Sequence, residues 1–372
     1  MTKKLAVLSG KGGSGKTSLC LSFANLLSTC GIKTLLIDCD LSTNGAAYFF
    51  ENRLNSDKNI YSILGLINEP FSLDEQQKSV VSIQESFDFV PSVSAIDGSI
   101  AAYTDGFLFS YSSLEDLIKN YEVVIFDCQA GYSDILKEIL PNVDETLFVM
   151  EADAISSASI RSLHLKIGSL LNRQSFQVFN KMTKEEYDIY NKISGGTLFM
   201  NIESVLFDWR IRKAFALSQI PTIDAVGYGF YEQIFNICKV LFPEEENMER
   251  MSYFSKKILM KKIQEEKSNL IEKLEMAKNT SRLKRTKMLP QLTLFYLVSV
   301  FSIILWVFLR KDGHLLNLFD YKIDLLVFVA FASSLLAAMT SIYVKKLLDS
   351  KDSIFTLKKQ LSDIEKKEQM YM

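Results

Sequence analysis

Six short apolar runs recur along the first half of the chain, and stretches with helical periodicity separate them. The runs lie at 5–8, 34–37, 87–90, 123–126, 146–150 and 176–179. Uninterrupted apolar runs of this length are typical of parallel strands that are buried on both faces. Their alternation with helices predicts an α/β fold, a doubly wound parallel sheet. Residues 48–84 are less regular, and we assign them no role.

Two longer apolar segments lie near the end of the chain. Met288–Leu309 has 22 residues and Leu325–Val344 has 20, and neither contains a charge. At about 1.5 Å of rise per residue, each helix covers roughly the 30 Å of a bilayer core. We therefore predict a transmembrane hairpin over 288–346, with spans 288–309 and 325–344. The alternative is a pair of core helices in a second soluble domain.

Basic residues flank these segments on the outer sides of the hairpin. Arg282, Lys284, Arg285 and Lys287 precede the first span, and Lys345 and Lys346 follow the second. Such residues favour the cytoplasmic side, so both termini are expected there. The expectation is a multi-pass protein of the bacterial inner, or cytoplasmic, membrane.

The segments on either side of the hairpin show weak heptad spacing. Ile263, Leu270 and Ala277 are seven apart in the segment 246–287, and Leu347, Ile354 and Leu361 in 347–372. Heptad spacing predicts two helices that pair as a short antiparallel coiled-coil stalk. Amphipathic helices on a membrane surface or against another protein are the alternative.

A glycine-rich loop, Ser9–Ser18, follows the first apolar run and opens a helical pattern at Leu19–Leu27. Strand, loop and helix in this order predict a site for a nucleoside triphosphate, because backbone N–H groups and the helix dipole point at phosphate. Lys16 is then placed for the β and γ phosphates and Thr17 for Mg²⁺. Lys11, a second lysine on the same loop, either crowds Lys16 or serves a nucleotide of a neighbouring subunit.

Carboxylates close two other predicted strands. Asp38 and Asp40 follow the run 34–37, and Asp127 follows 123–126. Ligands of open α/β sheets gather at the carboxyl ends of strands, so these three side chains should converge on Mg²⁺ and the γ phosphate. Magnesium prefers oxygen ligands and retains waters, so one carboxylate, a hydroxyl and two phosphates suffice.

Charge and cysteine content narrow the function classes. Residues 1–240 carry 20 Lys and Arg against 28 Asp and Glu, a net charge of −8, whereas residues 241–372 carry 22 against 16, or +6. An acidic domain is poorly suited to nonspecific DNA binding, which is not expected here, although a local basic patch stays open. The five cysteines show no Cys-x-x-Cys pair, which favours a reducing compartment.

The loop Lys11–Thr17 resembles the deviant Walker A loop of the ParA and MinD family of ATPases. Asp38–Asp40 with Asn44 resembles the second motif of that family, and Asp127–Gly131 its Walker B strand. The similarity covers about residues 1–245. Where the family often has a proline two residues after the Walker B aspartate, this chain has Gln129, to which we assign no catalytic role.

The resemblance implies a homodimer with two ATP molecules between the subunits, or a higher oligomer. Lys11 would cross to the nucleotide of the partner, Asp40 would help to position the attacking water, and Asn180 would read adenine. The implied site residues fall into three groups. They are Lys11, Lys16, Asp38 and Asp40 for catalysis; Gly12, Gly13, Ser14, Gly15, Lys16, Thr17, Ser18, Asn180 and Pro221 for ATP; and Thr17, Asp38 and Asp127 for Mg²⁺.

Three functions are compatible with these features. The favoured one is a membrane-anchored, Mg-dependent ATP hydrolase that assembles with ATP, is reset by hydrolysis and recruits or organises an unidentified protein partner. The second is a tyrosine autokinase of the polysaccharide-export type, whose tyrosine-rich tail is absent here, since the end offers only Tyr371. The third is a structural membrane oligomer with an ATP site that does not cycle.

Overall fold

The computed structural model describes residues 2–54, 63, 78–92, 111–171, 175–186, 199–311 and 325–371. They form two compact units, Met1–Ile258 and Leu259–Met372. The first unit extends past the predicted boundary at 245 into the first turns of a long helix.

An eight-stranded sheet with the order β3-β4-β2-β5-β1-β6-β7-β8 forms the centre of the first unit. Neighbouring strands are parallel except for β3 and β4. The strands are β1 Lys3–Ser9, β2 Thr34–Cys39, β3 Val81–Gln84, β4 Phe87–Val90, β5 Val123–Ala130, β6 Glu145–Met150, β7 Ser175–Phe179 and β8 Met200–Asn201. All six predicted strands are confirmed, whereas the prediction missed β3 and β8.

Helices cover both faces of the sheet and bury two apolar cores, one on each face. The described helices of this unit are α1 Lys16–Thr29, α2 Gly45–Phe49, α3 Glu51–Leu54, α4 Glu115–Ile118, α5 Leu136–Ile139, α6 Ala154–Ile167, α7 Trp209–Ala216, α8 Ile223–Val226 and α9 Tyr228–Leu241. The residues of β1 and β2 from Leu5 and Thr34 onwards are buried, which explains their uninterrupted apolar pattern.

The strand order places the sequence motifs together. Strand β1 lies between β5 and β6, and β5 lies between β1 and β2. Asp38 of β2 pairs in register with Asp127 of β5, and the phosphate loop leaves the same end of β1. The topology therefore brings the two predicted metal carboxylates beside the loop.

Two long helices follow: α10 spans Glu245–Lys311 and α11 spans Leu325–Tyr371. In the first turns of α10, Arg250 donates to the carbonyl of Gly31 at 3.1 Å and to the carboxylate of Glu122 at 3.0 Å. The same carboxylate accepts from the backbone N–H of Lys33 at 2.8 Å. Because Glu122 precedes β5 and Lys33 precedes β2, this helix is fixed to the amino ends of both strands.

Apolar side chains of the second unit are buried or half-buried on both of its helices. Ile263 and Leu274 are buried on α10, and Ile354, Leu357 and Leu361 are half-buried on α11. An ion pair of 2.6 Å joins Lys267 to Glu368, so the two helices are in contact there. The sequence predicts that the segments 246–287 and 347–372 pair as a coiled-coil stalk. The stalk itself stays a prediction.

The structure does not confirm the predicted transmembrane hairpin. Within the described part of the chain, no helix has the length and apolar character required to cross a membrane. Most side chains of the second predicted span, 325–344, lie outside those that the structure describes. The hairpin therefore stays a prediction.

Candidate functional site

The phosphate loop turns from β1 into α1 through a left-handed residue. Gly15 has φ 86° and immediately precedes the helix. A Cβ atom at this position would lie 2.2 Å from the amide nitrogen of Asn180, so both its conformation and its surroundings require glycine. Gly12 and Gly13 are exposed at the outer side of the turn, and Ser14 is buried. The loop therefore presents its backbone where the sequence predicted phosphate binding.

Lys16 and Asp127 form a buried ion pair at the centre of the site. The ammonium lies 2.7 Å from Oδ1 of Asp127, and the two side chains are 6% and 0% exposed. Burial, the largest effect, disfavours the ammonium, but the charge of Asp127, its hydrogen bond to Lys16 and smaller effects of nearby groups together outweigh burial and raise the pKa of Lys16. The other oxygen, Oδ2 of Asp127, is buried and has no hydrogen-bond partner. An unpartnered buried carboxylate oxygen fits a magnesium ion or a water bound to one.

Asp38 is fixed beside this pair by three donors. It accepts from the backbone N–H groups of Asp40 and Ala47, both at 3.0 Å, and from the hydroxyl of Ser92 at 2.9 Å. Burial, followed by the charge of Asp127, raises the pKa of Asp38. These bonds hold the carboxylate rigidly against β5.

Asp40 is oriented by the turn that follows β2. Its carboxylate accepts from the hydroxyls of Ser42 at 2.8 Å and Thr43 at 2.7 Å. Burial opposes ionisation of Asp40, but hydrogen bonds from Thr43 and Ser42 outweigh it, so the pKa is lowered. Asp40 is thus an anionic group near Lys16, as its predicted role with an attacking water requires.

Lys11 does not join Lys16. Its ammonium lies 3.0 Å from Glu151 and 3.0 Å from Asp153, which follow β6. Hydrogen bonds to Asp153 and Glu151 raise the pKa of Lys11. Glu151 also binds Lys181 at 3.0 Å, and Lys181 donates to the carbonyl of Gly13. We call Lys11, Glu151, Asp153 and Lys181 the lysine latch.

Sequence reasoning missed Glu151 and Asp153. Their positions directly after the apolar run 146–150, at the carboxyl end of a predicted strand, were the available signal.

A cavity of about 320 Å³ adjoins the loop on the side of β7. Asn180 lines it and donates to the carbonyl of Ser14 at 2.8 Å. Ser18 also lines the cavity, together with apolar groups that the sequence did not single out, Val205, Leu206, Phe207, Ile211, Phe215 and Phe230. A largely apolar cavity next to a phosphate loop is suited to a planar base.

Pro221 is not among the lining residues of this cavity. Its carbonyl accepts a hydrogen bond from the buried hydroxyl of Tyr231, to which Asn25 of α1 donates in turn. Binding of ATP by Pro221 stays a prediction.

No group of three or more His, Cys, Asp or Glu side chains in the described ranges is arranged to hold a metal ion. The predicted magnesium site differs from such a cluster, because phosphates and water supply most of its ligands. Thr17 is the second residue of α1 and follows Lys16. Its hydroxyl lies close to Gly45, 3.8 Å from the position that a Cβ there would occupy.

Several known proteins resemble parts of this chain. Residues 2–179 match a family model described as an AAA domain. The cell division protein PomZ of Myxococcus xanthus (strain DK1622) is 26% identical over 166 residues, which are 44% of this chain and 50% of PomZ. The chain thus spans about half the length of this curated relative.

Solved structures resemble the first two thirds of the chain. A plasmid partition protein of Borrelia burgdorferi B31 bound to AMPPNP has 17% identity and a TM-score of 0.55, with 66% of this chain and 100% of that chain covered. The MinD cell division protein of Aquifex aeolicus has 19% identity and a TM-score of 0.51, with 66% of this chain and 98% of that chain covered. Over about two thirds of its length the chain therefore shares the fold of these two proteins, the α/β parallel-sheet fold with a P-loop that the sequence predicted.

Proposed function

We propose that this chain is an ATPase switch of the ParA/MinD type that is anchored in a membrane. Mg-ATP joins two copies through their ATPase units, and hydrolysis separates them. The observation that carries the proposal is the position of Lys11, which is bound to carboxylates of its own chain outside the Lys16–Asp127 pair.

Two carboxylates and two lysines form the lysine latch, so its charges balance. A triphosphate held by a second copy offers Lys11 a denser negative charge than Glu151 and Asp153 do. Transfer of Lys11 to that triphosphate would leave Glu151 paired with Lys181, which limits the cost of breaking the latch. The arrangement therefore favours a monomer without ATP and a dimer with it.

Hydrolysis needs charge neutralisation rather than covalent chemistry from the protein. Lys16 and Lys11 would neutralise the γ phosphate, and Asp40 would hold the attacking water. Asp38, Asp127 and Thr17 would hold the magnesium ion, which draws electron density from the phosphate when it is bound. Similarity to a cell division protein and to a plasmid partition protein supports a switch that organises or recruits a partner, which is unidentified.

Exposed apolar side chains support the membrane anchor. Six residues of the first predicted span are between 55% and 67% exposed: Leu294, Tyr296, Leu297, Val298, Phe301 and Ile304. An apolar surface of this extent requires a cover, and hydrocarbon provides it. We propose that both spans cross the bacterial inner membrane with both termini in the cytoplasm.

Assembly with nucleotide tests the switch. Detergent-solubilised wild-type protein should form dimers or larger oligomers with Mg-ATP and not with Mg-ADP, as measured by light scattering after gel filtration. Lys11→Ala should bind ATP and fail to assemble, whereas Lys137→Ala, an exposed lysine outside the site, should behave as wild type. Unchanged assembly of Lys11→Ala would refute the role of Lys11.

Extraction of cell membranes at alkaline pH tests the anchor. The full chain should stay in the membrane pellet, and a chain with four lysines introduced into each of the two predicted spans, in the first at Leu294, Leu297, Phe301 and Ile304, should move to the supernatant. Release of the wild-type chain into the supernatant would exclude a transmembrane hairpin.

A further inference from the structure

The outer face of α7 combines exposed apolar and basic side chains. Trp209 is 61% exposed, Phe207 just before the helix is 53% exposed, and Leu217 at its end is 56% exposed. Arg212 and Lys213 are exposed beside them. We call these five residues the α7 patch. Trp209, Lys213 and Leu217 are spaced by four residues, so they follow one side of the helix.

The opposite face of α7 anchors the helix. Ala214 is buried, and Ile211 and Phe215 pack against the core and line the base cavity, which Phe207 and Arg212 of the α7 patch also border. Asp208 caps the helix by accepting from the backbone N–H of Arg210 at 2.9 Å, and it also pairs with the guanidinium of that residue. The α7 patch is therefore presented by a helix whose position is fixed by packing and a cap.

The charge of this region departs from that of its domain. Residues 1–240 have a net charge of −8, yet the segment 209–223 holds three basic residues and no acidic one. Asp208 neutralises Arg210, so Arg212 and Lys213 supply the positive charge of the patch. The Lys213 ammonium lies 5.8 Å from the ring centroid of Trp209, which keeps charge and aromatic surface together.

We propose that the α7 patch docks on the surface of an anionic phospholipid bilayer. The inference rests on the membrane anchor proposed above, because the anchor gives the ATPase unit a high effective concentration of lipid. Tryptophan and phenylalanine partition into the interfacial region of a bilayer, and lysine and arginine bind anionic headgroups. Leu217 adds an aliphatic contact that lipid accommodates.

Single-stranded nucleic acid is the competing occupant, since bases stack on aromatic side chains beside basic groups. The exposed Leu217 favours lipid, because an aliphatic side chain inserts among acyl chains and offers a base no aromatic ring to stack on.

The fluorescence of Trp209 tests the docking. The chain has two tryptophans, so Trp306→Phe leaves Trp209 as the only emitter. This full-length variant is reconstituted into vesicles of phosphatidylcholine alone or of phosphatidylcholine with phosphatidylglycerol. We expect a blue shift of emission and a loss of acrylamide quenching only in the anionic vesicles, both reversed by high salt. Lys213→Glu should abolish the shift, and Lys166→Glu, an exposed lysine on α6, should retain it.

The other outcomes overturn the proposal. Emission that is equal in both vesicles shows that anionic lipid does not dock there. A shift caused by a single-stranded oligonucleotide, and not by lipid, assigns the patch to nucleic acid. Alkaline extraction of the same vesicles separates the two proposals. A retained chain with unshifted Trp209 excludes only the docking, whereas a released chain excludes the anchor itself.

Discussion

At the scale of single residues, close contact between the phosphate loop and α6 restricts what position 10 can hold. A Cβ on Gly10 would lie 2.5 Å from the backbone carbon of Ser159 and 2.6 Å from the backbone nitrogen of Ile160. Backbone atoms cannot move aside as a flexible side chain does. The loop and the helix therefore touch only because residue 10 has no side chain.

We expect Gly10→Ala to destabilise the first unit by about 1–3 kcal/mol, the usual range for overpacking. Gly12→Ala is the matched control, because a Cβ there meets no atom within 4 Å. Urea unfolding followed by circular dichroism measures both variants. Equal urea midpoints for the two variants would mean that α6 shifts to accommodate the added methyl group with no loss of stability.

Asp153 gives a pH dependence with a defined sign. The hydrogen bond from the backbone N–H of Ser156 and then the bond to Lys11 lower the pKa of Asp153 to about 2. A carboxyl whose pKa is lowered by folding stabilises the protein above its ordinary pKa, near 3.9, and loses that contribution as pH falls toward 2. Asp153→Asn retains a helix cap but loses the charge.

The melting temperature of Asp153→Asn should therefore lie below that of wild type at pH 6, and the difference should shrink between about pH 4 and pH 2. Thermal scans by circular dichroism across this range measure it. A difference that is constant with pH would contradict the ionic role of Asp153.

Sequence predicted the residues of the site that belong to contiguous motifs. Lys16, Asp38 and Asp127 were found because a loop or an apolar strand marks each of them. Glu151 and the apolar lining of the base cavity were missed, since their contacts depend on where β6, β7 and α7 meet in space. The spacing of residues along the chain does not indicate where these three elements come together.

At the scale of elements, apolar pattern located the six core strands because each is buried on both faces. It missed β3, whose four residues include Ser82 and Gln84 and which, among the described strands, pairs only with β4. It also missed β8, which has two residues, both exposed. Edge strands this short lack the burial that creates a pattern.

Among the described residues, Lys267 of α10 and Glu368 of α11 form an ion pair between the two helices. We expect Lys267→Glu to lower the melting temperature of the second unit by repulsion from Glu368, and Glu368→Lys to do the same by repulsion from Lys267. The double variant should recover most of the loss, because it restores opposite charges at the same positions. Calorimetry of the three variants measures the coupling, and failure of the double variant to recover would show that the pair contributes nothing.

At the scale of the whole molecule, two compact units predict two unfolding transitions. If ATP binds the folded first unit as proposed, it should stabilise that unit by about 2.7 kcal/mol at a hundredfold excess over Kd and so raise the temperature of one transition. The transition of the second unit, whose melting temperature Lys267→Glu should lower, should not shift when ATP is added. Differential scanning calorimetry separates the two, and a single transition that shifts with both changes would contradict their independence.

The attachment of Arg250 gives the molecule a mechanical property. Glu122 and Gly31, to which Arg250 is hydrogen-bonded, precede strands β5 and β2, which contain Asp127 and Asp38 towards their carboxyl ends. A force along α10 therefore acts on the amino ends of β5 and β2. A pull on that helix loads the same two strands whose far ends carry the carboxylates of the site.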